Sequence, residues 1–206
     1  MRIISGERKG HSIFSFKSKD VRPLSDKNRE TIFNLLTHGK ELVKINFSLE
    51  EAKVIDLFAG TGSFSFEALS RGAKHATMVE NNQQMIDIIY KSANKLGYLE
   101  KIAVISENAC SFEEYSETTK FNLAYIDPPY GKNLGLRAIK NIIKKNLLEK
   151  DSIIILEEEK KSKHIELSEI ILLREKELGN SKFSFFKLIL ITLLNINCIL
   201  SKGVNF

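Results

Sequence analysis

The chain reads as an α/β protein whose mostly parallel sheet ends in an antiparallel hairpin. Three observations predict this. From about residue 53, short apolar runs alternate with amphipathic segments of 9 to 15 residues, as in right-handed crossover units with helices on both faces. The run 53–58 (KVIDLF) leads into a Gly-containing turn, as a buried parallel strand does. Near the end, two strand-like segments flank Gly179-Asn180, a hairpin signal.

Taken in order, residues 2–4 and 12–16 pair as a small hairpin across Gly6 and Gly10. Ser25 or Asp26 caps a helix through about Thr37, which Gly39 ends. Strand 53–58 precedes a helix over 63–71, with Phe64, Ala68 and Leu69 on one face and Gly72 as the stop. Strand 75–80 precedes a helix over 82–96, apolar at Met85, Ile86, Ile89, Ala93 and Leu96. Strands follow at 101–106 and 121–126. The period of Leu136, Ile139, Ile143 and Leu147 predicts a helix over 134–148, followed by a strand over 152–156. The closing hairpin takes 169–174 and 182–191. The apolar stretch 188–200 has 13 residues, short of the ~20 that cross a bilayer; its early part reads as the last strand.

Composition narrows the class. Hydrophobic residues make up 43%, too many for a disordered chain. Cys110 and Cys198 have neither zinc nor disulfide spacing, so reduced thiols, no metal site and a cytoplasmic location are expected. The net charge is +5. Residues 1–29 hold eight basic groups and three acids, while residues 30–206 balance 23 against 23. A neutral body with a basic leader predicts a phosphate-facing arm, with Arg2, Arg8, Lys9, Arg22 and Arg29 as the contacts.

Two constellations carry chemistry. The first is Asp56-Leu57-Phe58-Ala59-Gly60-Thr61-Gly62, at the turn from first strand to first helix. Gly60 and Gly62 permit close backbone approach to a ligand, and the helix beyond offers free N–H groups. Glu80 ends the next strand, where an acid accepts from ribose hydroxyls; Asn81 follows it. A dinucleotide site needs a third glycine, and that position is Ser65. Asp56 repels a pyrophosphate and suits a cationic sulfonium, so the expected cofactor is S-adenosylmethionine. Asn108, after the third strand, is placed to hydrogen-bond adenine with Ala109 beside it.

The second is Asp127-Pro128-Pro129-Tyr130, after the fourth strand, with two of the chain's three prolines. An exocyclic amine on a base is a weak nucleophile, because its lone pair is delocalised into the ring. The Asp127 carboxylate and a Pro128 carbonyl, aimed by the rigid double proline, hold its N–H groups. Tyr130 stacks on the base. Positioning then supplies much of the rate.

These residues resemble the bacterial 16S rRNA (guanine-N2)-methyltransferase family, the small-subunit enzymes that modify guanine 966. The resemblance covers about residues 1–190. It rests on Met1–Gly6 with Lys9-Gly10, on 22–26 with Arg29-Glu30 and Phe33-Asn34, on 56–62 with 67–73, and on 127–130. Leu24 and His11 depart from the family's usual threonine and basic residue. The resemblance implies a Rossmann-like class I S-adenosylmethionine-dependent methyltransferase fold of seven strands and a target base flipped from its stack. It also implies 16S rRNA, in a partly or fully assembled small subunit, as substrate. The chain then divides into a basic RNA-contacting extension over 1–39, a methyltransferase domain over 40–192 and a tail over 193–206, and is expected to be a monomer. DNA or other amino-methyltransferases share both constellations but normally carry a larger target-recognition region. A non-catalytic RNA binder has no need of 127–130.

Overall fold

A computed structural model describes residues 1–15, 25–113, 119–129 and 133–189. The elements in chain order are α1 (Asp26–His38), α2 (Lys40–Lys44), β1 (Lys53–Leu57), α3 (Ser63–Ser70), β2 (His75–Val79), α4 (Gln83–Leu96), β3 (Ile102–Ile105), β4 (Phe121–Ile126), α5 (Leu134–Lys144), β5 (Leu148–Glu159), β6 (Ile170–Leu178) and β7 (Ser181–Leu188). The seven strands form one sheet in the order β3-β2-β1-β4-β5-β7-β6. The first five run parallel, and β7 lies antiparallel to both β5 and β6. The predicted α/β class with its closing hairpin is what the structure shows.

In the central strands both faces of the sheet are buried. In β4, Leu123 and Tyr125 face one core, and Phe121, Ala124 and Ile126 face the other. Ile153 and Ile155 of β5 likewise oppose Ile154 and Leu156. This two-residue alternation between two apolar layers is why these strands read as continuous apolar runs. The helices carry their expected caps. Ser25 Oγ accepts from the Asn28 amide at 3.1 Å, and Asn82 Oδ1 accepts from the amides of Gln84 and Met85. Gly97 closes α4 in the left-handed conformation.

The helix α2 lies outside the expectations, and β6 runs on to Leu178 rather than ending at 174. Two further joints also differ from the expectations. α5 ends at Lys144, not at 148, because Asn146 turns left-handed (φ 52°) and sends the chain into β5. Leu147 continues the helical spacing of Ile143 but is buried beside the strand, so periodicity alone extended the helix. β5 is also longer than 152–156. Its ends are charged, Glu149-Lys150-Asp151 and Glu157–Glu159, yet the latter three pair with Ser181–Phe183 of β7. Pairing, rather than hydrophobicity, sets its length.

The N-terminal hairpin is reduced to a single bridge between Arg2 and Ser12, flanked by Ile3 N–H to His11 O (2.9 Å) and Ile13 N–H to Met1 O (3.1 Å). It is held chiefly from below, by α3. The buried Glu67 carboxylate accepts the amides of Ile4 (2.8 Å) and Ser5 (3.0 Å) and the Nε–H of Arg71 (2.7 Å). Arg29 Nε lies 3.6 Å from the same group. Ser70 accepts the amide of Glu7 on its carbonyl and that of Arg8 on its hydroxyl. Gly6 crosses so close that a Cβ would lie 1.7 Å from the Ser70 carbonyl oxygen. Ile3 and Ile13 share one continuous apolar cluster with Ile32, Phe33, Phe64 and Phe66.

Removing the Glu67 carboxylate strands two backbone amides and leaves Arg29 with a diminished counter-charge. Losing one partner of such a buried pair costs about 3–5 kcal/mol. Glu67→Ala is therefore expected to lower unfolding free energy in urea by that amount. A loss below about 1 kcal/mol would show that the clamp is not what holds the N-terminal segment.

Candidate active site

β1 and β4 are neighbours, but the chain leaves β1 toward β2 on one side, while β5 flanks β4 on the other. Ligands in such sheets sit beyond the strand ends at this reversal. A cavity of about 890 Å³ opens there. Asp56, Phe58, Ala59, Gly60 and Thr61 line it from the end of β1. Glu80 and Asn81 line it after β2, and Asn108 and Ala109 after β3. Asp127, Pro128 and Pro129 line it after β4. Gly62 stands just behind the wall. Tyr130 and Arg22 lie outside the described residues.

The glycine loop is built from strain and clamping. Phe58 takes a positive φ of 65°, and Gly62 caps α3 in the left-handed conformation with no side-chain cap. A Cβ on Gly62 would meet Met78 Sδ at 2.8 Å, so glycine is required. Glu80 pins the loop to β2. Its Oε2 accepts from the Gly60 amide (2.8 Å), and its Oε1 accepts from the amides of Asn81 and Asn82. Asn108 Oδ1 accepts from the Cys110 amide, which fixes its side chain at the cavity.

Asp56 is buried, and its Oδ2 accepts from Ser65 Oγ at 2.7 Å. Ser65, where a dinucleotide site has glycine, thus holds an acid. Burial, reinforced by Glu80 and opposed by the Ser65 hydrogen bonds, pushes the Asp56 carboxyl up to about 7. Asp127 is raised well above the usual carboxylate range, first by burial, then by Glu157 and Asp56.

Sequence reasoning missed three residues. Glu157 of β5 lines the cavity, and its Oε2 accepts from the buried Tyr125 hydroxyl at 2.7 Å. The Tyr125 ring stacks on Phe64 with centroids 3.9 Å apart and planes 5° from parallel. The signal was present: Glu157 follows the apolar run SIIIL, so it emerges at the same end of the sheet as the Asp127 turn.

The basic leader is corrected in part. Arg29 is fully buried, donating to Arg2 O (2.6 Å) and Asp26 Oδ1 (3.0 Å) as well as facing Glu67. It holds the hairpin and α1 together and does not face a solvent phosphate. Arg8 lies over the Tyr98 ring, and Lys9 is exposed on the same turn. That turn contacts Ser70, at the far end of α3 from the glycine loop. The two are separated by about 12 Å, the length of an eight-residue helix. Arg2 is exposed near the cavity rim, where Met1 and Ser25 form part of the wall.

The model of the family described as conserved hypothetical protein 95 matches residues 1–187. The chain belongs to that family. A Haemophilus influenzae protein named ribosomal RNA small subunit methyltransferase D is 30% identical over 91% of this chain and 93% of its own length. The Escherichia coli protein of the same name is 30% identical over 77% and 75%. A Rickettsia prowazekii methylase is 31% identical over 88% and 95%. Among solved structures, yhhF of Escherichia coli, a candidate methyltransferase by its description, superposes with a TM-score of 0.76. It is 26% identical, with 91% of this chain and 97% of that one covered. The architecture is the class I methyltransferase fold. Among the described residues, no helix is long and apolar enough to cross a membrane.

The Asp56 carboxyl predicts a pH dependence. A group whose folded value lies above its unfolded value keeps its proton longer in the folded state. The folded protein therefore loses stability, relative to the unfolded chain, as pH rises from about 4 toward 7. Asp56→Asn retains an acceptor for Ser65 and removes that loss. The ligand-free variant is expected to melt above its parent at pH 8 and close to it at pH 4. A variant that melts no higher at pH 8 would contradict the assignment.

Proposed function

We propose that this chain transfers a methyl group from S-adenosylmethionine to the exocyclic N2 amine of a guanine in 16S rRNA. The expected target is guanine 966, in a partly or fully assembled small subunit. The observation that carries this reading is the desolvated Asp127 carboxylate, which meets the glycine loop across one cavity at the sheet's reversal point. The names of the curated relatives, small-subunit rRNA methyltransferases, support the substrate class. A cytoplasmic monomer is the form expected for it.

The residues present fit the cofactor. Gly60 opens toward space, with nothing within 4 Å of a Cβ placed on it. The start of α3 has no side-chain cap, leaving backbone N–H groups there for a ligand. Glu80 offers carboxylate lone pairs to a ribose, and Asn108 and Ala109 flank the place for an adenine. Asp56, poised near neutrality, ionises more readily beside a cation. S-adenosylmethionine, when bound, supplies the electrophilic methyl group.

The chain's own residues prepare the nucleophile. Asp127 accepts one N–H of the target amine, and the Pro128 carbonyl accepts the other. The double proline sets the direction of that carbonyl without needing a backbone donor. Tyr130 supplies a stacking ring for the flipped base. As the amine's lone pair is committed to the new bond, its N–H becomes acidic. Burial makes Asp127 a stronger base than an exposed aspartate, so it takes that proton. Arg2, Lys9 and Arg22 are the cations proposed to hold RNA phosphates.

The test is methyl transfer from labelled S-adenosylmethionine to small subunits from cells lacking this protein. One N2-methylguanine is expected in the rRNA; transfer to neither subunits nor their RNA, with cofactor bound, would move the substrate to DNA or protein. Asp127→Ala is expected to lower turnover at least about a hundredfold while cofactor affinity holds. Retention of a tenth of the parental rate would remove Asp127 from its role. Arg22→Ala is expected to weaken RNA binding and reduce the slope of log affinity against log salt by about 1. An unchanged slope would take Arg22 off the phosphates.

A further inference from the structure

β4 and β5 are parallel and in register, with Ile126 opposite Leu156. The next residues, Asp127 just past the end of β4 and Glu157 still within β5, therefore stand side by side, and both line the cavity. Glu157 is held from beneath by the Tyr125 hydroxyl at 2.7 Å. Tyr125 stacks on Phe64, and Phe64 on Phe33 of α1. An aromatic stack running from α1 to β4 thus sets where this carboxylate stands. Among the described residues, no lysine or arginine pairs with either acid. Two adjacent carboxylates, Glu157 buried and Asp127 half-buried, with no cation beside them are unfavourable unless donors arrive to meet them.

We propose that Glu157 is the residue that selects guanine, accepting the base's N1–H while Asp127 accepts from its N2 amine. The inference rests on the guanine-N2 reading above. Its chemistry is that of the base edge. Guanine presents N1–H and the 2-amine as neighbouring donors. Adenine and cytosine present an amine beside a bare ring nitrogen, an acceptor. Side-by-side carboxylates match the first pattern. Against the second, one carboxylate meets a lone pair, and Glu157 gains no donor from the base beyond those that already hold it from the protein. A site built to accept a substrate's N–H rejects analogues lacking it far more strongly than an apolar pocket rejects a misfit.

2-Aminopurine is the discriminating probe: it keeps the reacting 2-amine, replaces N1–H by an acceptor nitrogen and lacks O6. The N1 contact is therefore read from the change in ratio between the wild-type protein and a Glu157 variant, because the loss of O6 is common to both. Small subunits are reconstituted with rRNA carrying guanine or 2-aminopurine at the target position, and kcat/KM is measured for each. The wild-type protein is expected to prefer guanine by about a hundredfold or more. Glu157→Gln retains an oxygen for the Tyr125 hydroxyl and adds an N–H that can face N1 of 2-aminopurine. Its guanine-to-2-aminopurine ratio is expected to fall at least about tenfold, with cofactor affinity unchanged. If Glu157 only supports Tyr125, the variant lowers both substrates together, and an unmoved ratio overturns the proposal. Should the variant fail to fold, by circular dichroism and cofactor binding, Glu157→Asp, which draws the carboxylate back, takes its place. The same fall in ratio supports the role, and an unmoved ratio overturns it. Absence of any wild-type transfer to the guanine subunits is a separate result, which sinks the guanine-N2 reading and this inference with it.

Discussion

The buried carboxylate of Glu67 is the contact on which the N-terminal third of the molecule depends. It lies on α3, inside the protein, and meets two backbone amides and the Arg29 guanidinium from elsewhere in the chain, with Arg71 from the end of its own helix. A charge in that position is tolerable only when every lone pair is answered. The answer is divided among Ile4, Ser5, Arg29 and Arg71, so the first strand segment, α1 and α3 are obliged to assemble together. Arg29 has its own ordinary value lowered by burial, with Glu67 and Asp26 opposing that shift. It is also bonded to the Arg2 carbonyl, and so closes the circuit.

That assembly reaches the cavity. With Ile4 and Ser5 held on Glu67 and Gly6 pressed to Ser70, Met1 is brought to the cavity wall beside Thr61. Phe33 of α1 packs on Phe64, which carries Tyr125 and through it Glu157. The N-terminal segment therefore does two things at once. Its turn, with Arg8 and Lys9, projects at the far end of α3, and its start completes the wall of the cavity that Asp56, Asp127 and Glu157 line.

The acids of the cavity share one physical character. Asp56, Asp127 and Glu157 are each raised, and burial is the first cause for every one. Such clustering is unfavourable for stability and useful for chemistry. On the proposed function, a cationic cofactor would restore the charge of one acid, and the N–H groups of a base would satisfy the others. Binding of each ligand would thus be coupled to the state of the acids.

Much of this was legible in residues 53–188. Strand and helix alternation, the glycine loop, Glu80, Asn108 and the Asp127 turn are local patterns, and local patterns follow from side-chain period, cap chemistry and turn residues. The same reasoning carried the helix of Ile139 and Ile143 on through Leu147, because a buried connecting residue and a helix face both ask for leucine. It also ended β5 before Glu157, because strands were sought by their apolar runs, whereas pairing with β7 extends this one through charges. It placed Arg29 on the surface with its basic neighbours, since charge in a sequence carries no sign of burial. What the sequence by itself determined was the order of elements and the chemistry at strand ends, both of which depend on neighbours a few residues apart. What only the tertiary structure decided was which charges face inward and which acids stand together. Glu67 meets Ile4 across 63 positions and Glu157 meets Tyr125 across 32, and such partners are chosen by the packing of the whole sheet.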